Sequence, residues 1–403
     1  MNRLILAVLL LVLPAPAWAG RKVTVAQLEE MLRSMQQEKR ADSDAADALK
    51  QLELSEQLTR ASMAALLPLA SGPYSTQQIY VLEALGASLA PPASDLPSTP
   101  PPDAAMQKAV LTRAEAYVAR NYRQLPAFTA TRTTLRFQDN MEAVAASSGV
   151  VGSAKEASAG TAFSKPASFI HYINSSASPV TFEHGAEKLP QEKDKTPWGA
   201  NRMIALQSPD PDLEMVFREA QQAGAIQWLR WELINGKAAA VFSFTVPRNQ
   251  SKLELKICCF PKIIQTGVAR FYTSATARSL GGEDASAGGG GVSGNYQTNT
   301  EWHDYKTTAP YHGELFIDPE TGIVLRMITR AELKPGEVVH QVDTRIDYGP
   351  VTLGRTLVIA PVRTYVNTVV VPSGESGSGI YTTRCTLFTS EFTEYQPGGA
   401  GAK

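Results

Sequence analysis

The sequence is poor in the residues that usually announce chemistry. Its 403 residues include three cysteines and five histidines. No His-x-His, His-Glu-x-x-His or Cys-x-x-Cys spacing occurs, so no familiar metal-ligand set and no cofactor is expected. The glycine-rich stretch 279–294 lacks the strand, terminal Gly-Lys-Ser/Thr and helix of a phosphate-binding loop. The nearest approach to a hydrolase elbow is 374–379, where Ser378 occupies the place of the second glycine and Ser376 lies in a loop. Charge of one sign is lacking too: 38 basic against 39 acidic residues leave a formal net charge of −1, and nothing favours a nucleic-acid partner. After residue 13 no apolar run is long enough to span a bilayer.

What is present begins with a leader. Arg3 supplies the positive end, residues 4–13 the apolar core, and Ala17-Trp18-Ala19 a small-x-small cleavage site before Gly20. Residues 1–19 therefore read as a signal peptide and the protein as periplasmic or secreted. Export permits a disulfide, and an odd cysteine count leaves one thiol over.

The rest is organised around residues 226–260. Residues 226–234 are aromatic and β-branched, Asn235-Gly236 suits a type I′ turn, and residues 237–246 return with Ala240, Phe242, Phe244 and Val246 on one face. Pro247 ends that strand. Residues 251–260 repeat the alternation and read as the third strand of an antiparallel meander. Its parity puts Cys259 with Leu255 and Ile257 and sets Cys258 beside Lys252 and Lys256. Cys259 is then a small buried hydrophobe or, the sharper expectation, the partner of Cys385 in a disulfide.

Ahead of this lies a helical region, 20–125. Thr24 with Gln27 and Ser75 with Gln78 are spaced as capping boxes, and Asp103 caps a helix over 104–122. Helices are also expected over 45–58, 61–67 and 211–223, with a proline-rich stretch at 91–102 crossing the surface. Residues 126–396 are strand-rich, and 397–403 form a flexible tail. Asp318-Pro319 through Gly322 is a turn between strands 311–317 and 323–331, and further strands follow at 338–346, 356–360, 362–370 and 381–391. The fold class is α+β: a helical N-terminal segment on or beside a large curved antiparallel β-sheet.

Three segments carry a resemblance: Leu52 to Arg60, Leu125 to Arg132, and Tyr311 to Glu314 running on through Arg326. Together they resemble a family of exported acidobacterial proteins, which implies export but no catalytic residue. Residues 313–326, 342–348 and 355–361 are similar to the periplasmic lipoprotein-carrier fold. That resemblance implies a curved sheet able to hold acyl chains.

Candidate polar sites are few. His303 and Asp304 follow Glu301 and Trp302, and strand parity places His312 and Glu314 on one face, where an acid–base pair is chemically conceivable. The aromatic set is more suggestive. Trp228 and Trp231 fall on opposite faces by parity, and with Phe242 and Phe244 they are candidates to line an apolar cavity. The leading expectation is non-enzymatic binding of an apolar small molecule, a lipid or a lipidated envelope protein. A structural or interaction module with a filled core is the alternative, and a hydrolase or metal-dependent enzyme comes third.

Overall fold

The computed structural model describes residues 21–138, 170–188, 205–206, 208–266, 270–271, 292–293, 297–334, 338–370 and 384–398. The leader, most of the glycine-rich stretch 279–294 and residues 374–379 lie outside them, as do the side chains of Cys259 and His303.

The front of the chain is helical because its leucines recur at helical spacing. Strand β1 (Arg21–Val23) leads into α1 (Val25–Gln37), then α2 (Asp42–Lys50), β2 (Leu52–Leu54), α3 (Arg60–Leu66) and α4 (Pro73–Gly86). Leu28, Leu32, Leu49, Leu66, Ile79 and Leu82 meet in one apolar cluster. The capping box at Thr24 forms as expected, with the Gln27 N–H donating to the Thr24 hydroxyl at 3.2 Å. The helix expected over 45–58 stops at Lys50 instead. Leu52 and Leu54 alternate with exposed Glu53, and that period of two places them in β2, paired in parallel with β1. The Ser75–Gln78 capping box is also replaced. Pro73 opens α4 one turn earlier, and Asp42 of α2 accepts from the N–H groups of Tyr74 (2.8 Å) and Ser75 (2.9 Å). A single carboxylate thus caps one helix and fastens it to another.

Past the proline-rich stretch, α5 (Ala104–Tyr117) starts where the Asp103 carboxylate accepts from the Met106 N–H at 2.7 Å. The remaining elements are β3 (Phe128–Gln138), β4 (His171–Glu183), β5 (Ala186–Lys188), β6 (Ala205–Leu206), α6 (Leu213–Gln222), β7 (Gln227–Ile234) and β8 (Lys237–Val246). There follow β9 (Glu254–Thr266), β10 (Arg270–Phe271), β11 (Val292–Ser293), β12 (Gln297–Thr308), β13 (Tyr311–Ile317), β14 (Val324–Ala331), β15 (Val339–Leu353), β16 (Thr356–Val370) and β17 (Arg384–Pro397).

Ten strands form one antiparallel sheet in the order β5-β4-β3-β17-β16-β15-β14-β13-β8-β7. With the helices beside it, the protein is α+β. Asn235 and Gly236 take φ of +51° and +79°, the left-handed pair that the β7–β8 hairpin requires. The turn after β13 is built from its own sequence. The Asp318 carboxylate accepts from Glu320 N and Thr321 N, Gly322 has φ +76°, and Arg113 of α5 donates to the Pro319 carbonyl at 2.9 Å.

The expected three-strand meander does not form. β8 pairs with β7 and, on its other side, with β13, while β9 leaves to a separate sheet of order β12-β9-β6. This also separates the cysteines. Cys385 sits in β17, between β3 and β16 of the large sheet, and stays a thiol whose sulfur lies 3.3 Å from Asn367 Oδ1. The expected Cys259–Cys385 bridge is therefore not made. Cys258, expected on the polar face, is buried.

One face of the large sheet is its apolar core. Phe242, Phe244, Tyr311, Leu315, Met327 and Ile346 pack there against Val110 and Ala114 of α5, Val216 and Phe217 of α6, and Leu255 and Ile257 of β9.

Candidate functional site

The opposite face is charged. Side chains alternate across a strand, so the residues between the core positions emerge together on the far side. These are Glu314 and Phe316 on β13, Arg326 and Arg330 on β14, Asp343, Arg345 and Asp347 on β15, and Arg363, Tyr365 and Asn367 on β16. The end of α4 and the segment after it lie over them. The Ala87 carbonyl accepts from Gln57 Nε2 (3.0 Å) and Arg345 Nη1 (3.3 Å), and the Ser88 carbonyl accepts from Arg330 Nη2 (2.7 Å). Cations thus meet the negative end of the helix.

Most of these charges are spent on one another. Asp347 accepts from Arg326 Nε at 2.6 Å and from Arg345 Nη2 at 2.8 Å. Glu232 of β7 lies 3.4 Å from Arg326 and 2.7 Å from Arg230, which also reaches Glu314 at 2.8 Å. Glu83 of α4 accepts from Arg363 and from the Tyr365 hydroxyl, both at 2.8 Å. Burial alone would raise the Asp347 pKa, but Arg326 and Arg345 outweigh it and hold the carboxyl well below the usual range. For Glu83 and Glu232 burial prevails, and both are pushed up despite their arginines.

Two openings remain beneath the α4 end. The larger, about 450 Å³, is lined by Leu85, Ser88, His312, Arg330, Gln341, Asp343, Arg345, Tyr365 and Asn367 among others. The smaller, about 220 Å³, is lined by Gln57, Arg230, Glu232, Glu314, Phe316 and Arg326 among others. Ser88, Leu89 and Arg330 line both, so Arg330 stands at the seam between the two halves of the cleft.

Two of the sequence candidates reach this cleft. His312 and Glu314 do share a face, but they do not pair with each other. His312 Nδ1 lies 3.1 Å from Glu332, and Glu314 is held by Arg230. Asp304 is elsewhere, on β12, 3.5 Å from Lys256.

The aromatic candidates are placed differently from the cavity expectation. Phe242 and Phe244 are fully buried in the core, and none of the four aromatics lines either opening. Trp228 and Trp231 are on the same face, not opposite ones, with ring centroids 4.9 Å apart. The cause is a register shift between Trp228 and Arg230: Trp228 pairs with Phe242 and Trp231 with Ala240. One extra residue reverses the parity of everything after it. Trp231 Nε1 donates to the Pro100 carbonyl at 3.0 Å, which pins the proline-rich stretch over the sheet edge.

The residues that shape the cleft had a signal in the sequence. Arg326 and Arg330, and Asp343, Arg345 and Asp347, stand at even spacing in two strands, so each set shares a face. A search for a histidine beside an acid along one strand picks out only His312 and Glu314 from this face, and misses pairs such as Arg326 with Asp347, which form across strands.

A second charged group lies where β3, β5 and the chain before α6 meet. Arg132 Nη1 is 2.7 Å from Glu187 Oε1. Burial and the Glu187 charge push Asp210 up to about 7, against the pull of Arg132 and Thr364. The folded protein then holds a proton that the unfolded chain releases near the ordinary Asp value of about 3.9. Stability from this group is present below that value and is lost as pH rises toward 7. Melting followed by circular dichroism should show a lower midpoint at pH 8 than at pH 5. In Asp210→Asn the difference should shrink by a few degrees, and an unchanged pH slope would show that Asp210 is not the group responsible.

Among the described residues no group of three His, Cys, Asp or Glu side chains is arranged to hold a metal ion, and no helix is long and apolar enough to cross a membrane. No family model matches this chain, and comparison with curated proteins and with solved structures finds no match. The acidobacterial and lipoprotein-carrier resemblances gain no support from these comparisons.

Proposed function

We propose that this is an exported, non-enzymatic binding protein whose cleft takes a small polar molecule with an acidic group. The observation that carries the reading is Arg330. Arg230, Arg326, Arg345 and Arg363 each form an ion pair with a carboxylate. Arg330, half-buried at the seam of the cleft, forms none among the described residues, and its protein bond is to a neutral carbonyl. A half-buried guanidinium with no carboxylate in direct contact is a ready site for a carboxylate or phosphate, which its fork of donors fits bidentately. Two of the acids nearby, Glu232 and Glu314, are already held by Arg230, which leaves neither free to act as a general base. A structural or interaction module is the second reading, favoured by the packed aromatic core.

Native mass spectrometry of protein recovered from a secreting host tests both parts of the proposal. The expected chain begins at Gly20 and carries a small acidic adduct that Arg330→Gln loses. An adduct that survives Arg330→Gln would contradict the reading. So would a bare chain whose melting temperature no carboxylate or phosphate ester raises, and a chain retaining residues 1–19 would remove export.

A further inference from the structure

We infer that the ligand is a zwitterion, bound with its acidic group on Arg330 and its ammonium on Asp343. This rests on the polar-cleft reading and narrows it. Two cross-strand pairs of opposite charge stand on β14 and β15. Arg326 is directly opposite Asp347, and Arg330 is directly opposite Asp343. Both pairs couple an arginine on β14 to an aspartate on β15, on the same face of the sheet. Opposite charges so placed normally meet, and the first pair does, at 2.6 Å.

The second pair does not close. Arg330 turns to the Ser88 carbonyl at 2.7 Å, and Asp343 turns to the Gln341 side-chain amide at 2.6 Å. Each is held by a neutral partner, and neither forms an ion pair among the described residues. Asp343 is also only 9% exposed, and burial pushes its pKa up although the Gln341 bond and the more distant charges of Arg330 and His312 pull the other way, so a cation in direct contact would still be gained. The larger opening, about 450 Å³, is lined by both side chains. An open site with a cation and an anion held apart on adjacent strands is complementary to a molecule carrying both charges. Simple carboxylates satisfy Arg330 alone, and simple amines satisfy Asp343 alone. Leu85 and Leu89 on the rim, 42% and 37% exposed, give an apolar side chain somewhere to rest. A free α-amino acid, or the equivalent headgroup of a larger molecule, has this chemistry.

The test is isothermal titration calorimetry of the full mature chain with each of the L-amino acids, then with the N-acetyl and α-amide derivatives of the tightest. Either blocked derivative is expected to bind at least tenfold more weakly than the free amino acid. Asp343→Asn, which keeps a bond to Gln341, should cost the free amino acid a similar factor and leave the N-acetyl derivative unchanged. Should that variant fail to fold, the derivative series on the parent protein decides alone. An N-acetyl derivative that binds as tightly as the free amino acid, and is lost in Arg330→Gln, would overturn the zwitterion and keep the anion site. Absence of binding by every amino acid and by phosphatidylethanolamine vesicles overturns the inference, and absence of binding by simple carboxylates and phosphate esters as well overturns the reading beneath it. An ammonium headgroup on a lipid is distinguished by phosphatidylethanolamine vesicles: if they bind while amino acids do not, the free amino acid is excluded as the source.

Discussion

Phe244→Ala is expected to cost about 3–5 kcal/mol of folding stability, the range for emptying a fully buried phenylalanine site. Phe244 is 2% exposed, and its ring meets Tyr311 edge-on at 6.0 Å. The Tyr311 hydroxyl donates to Glu219 Oε2 at 2.8 Å, inside the same core. Truncating Phe244 therefore opens a void and loosens the tyrosine that satisfies a buried acid. Its neighbour leaves no slack either, since a Cβ added to Gly313 would lie 2.7 Å from the Phe244 ring. Urea unfolding should show the midpoint fall with the slope unchanged. A loss below about 1 kcal/mol would mean that Phe244 borders empty space, as the apolar-cavity expectation required.

The second large effect is on the charged face. Asp347→Ala removes the carboxylate between two buried guanidiniums, Arg326 and Arg345, which are 9% and 5% exposed. Removing one partner from a buried pair typically costs about 3–5 kcal/mol. Among the described residues, Arg345 would be left with only the neutral Ala87 carbonyl as an acceptor, and Arg326 with the longer contact to Glu232. A control lies on the same sheet. Glu391 also contacts an arginine, Arg363, but its side chain is 59% exposed, and Glu391→Gln should cost no more than about 1 kcal/mol. The pH dependence follows from the lowered pKa of Asp347. Its stabilisation is present above the ordinary aspartate value and is lost only as pH falls well below it. The gap between parent and Asp347→Ala should hold steady from pH 5 to 8 and narrow in strong acid. Equal losses for Asp347→Ala and Glu391→Gln would show that the buried network adds nothing to the fold.

Local features were legible in the sequence because they are set by residues that touch in sequence. The Asn235-Gly236 hairpin, the turn ending at Gly322 and the Asp103 cap all form as their chemistry dictates. Features that depend on distant partners were not. β8 finds β13 across the whole β9–β12 excursion, and nothing in residues 251–260 says that they belong to another sheet. The tryptophans were misplaced by one bulged residue, which no alternation pattern can reveal. The cleft was half legible. Parity correctly grouped His312 with Glu314, but the meaning of Arg330 lies in what it fails to meet, and that depends on the Ser88 carbonyl of a helix end far away in sequence.

One face of the sheet is a solid core, and on the proposed function the other binds. Two-dimensional ¹H–¹⁵N spectra test it in a single titration, because arginine Nε–H and tryptophan indole N–H groups appear in separate regions. With the tightest amino acid from calorimetry added, the Arg330 signal, assigned from Arg330→Gln, should shift saturably. The indole signals of Trp228 and Trp231 should stay in place. Shifts of the indole signals with Arg330 unmoved would put the ligand against the aromatic core and contradict the account.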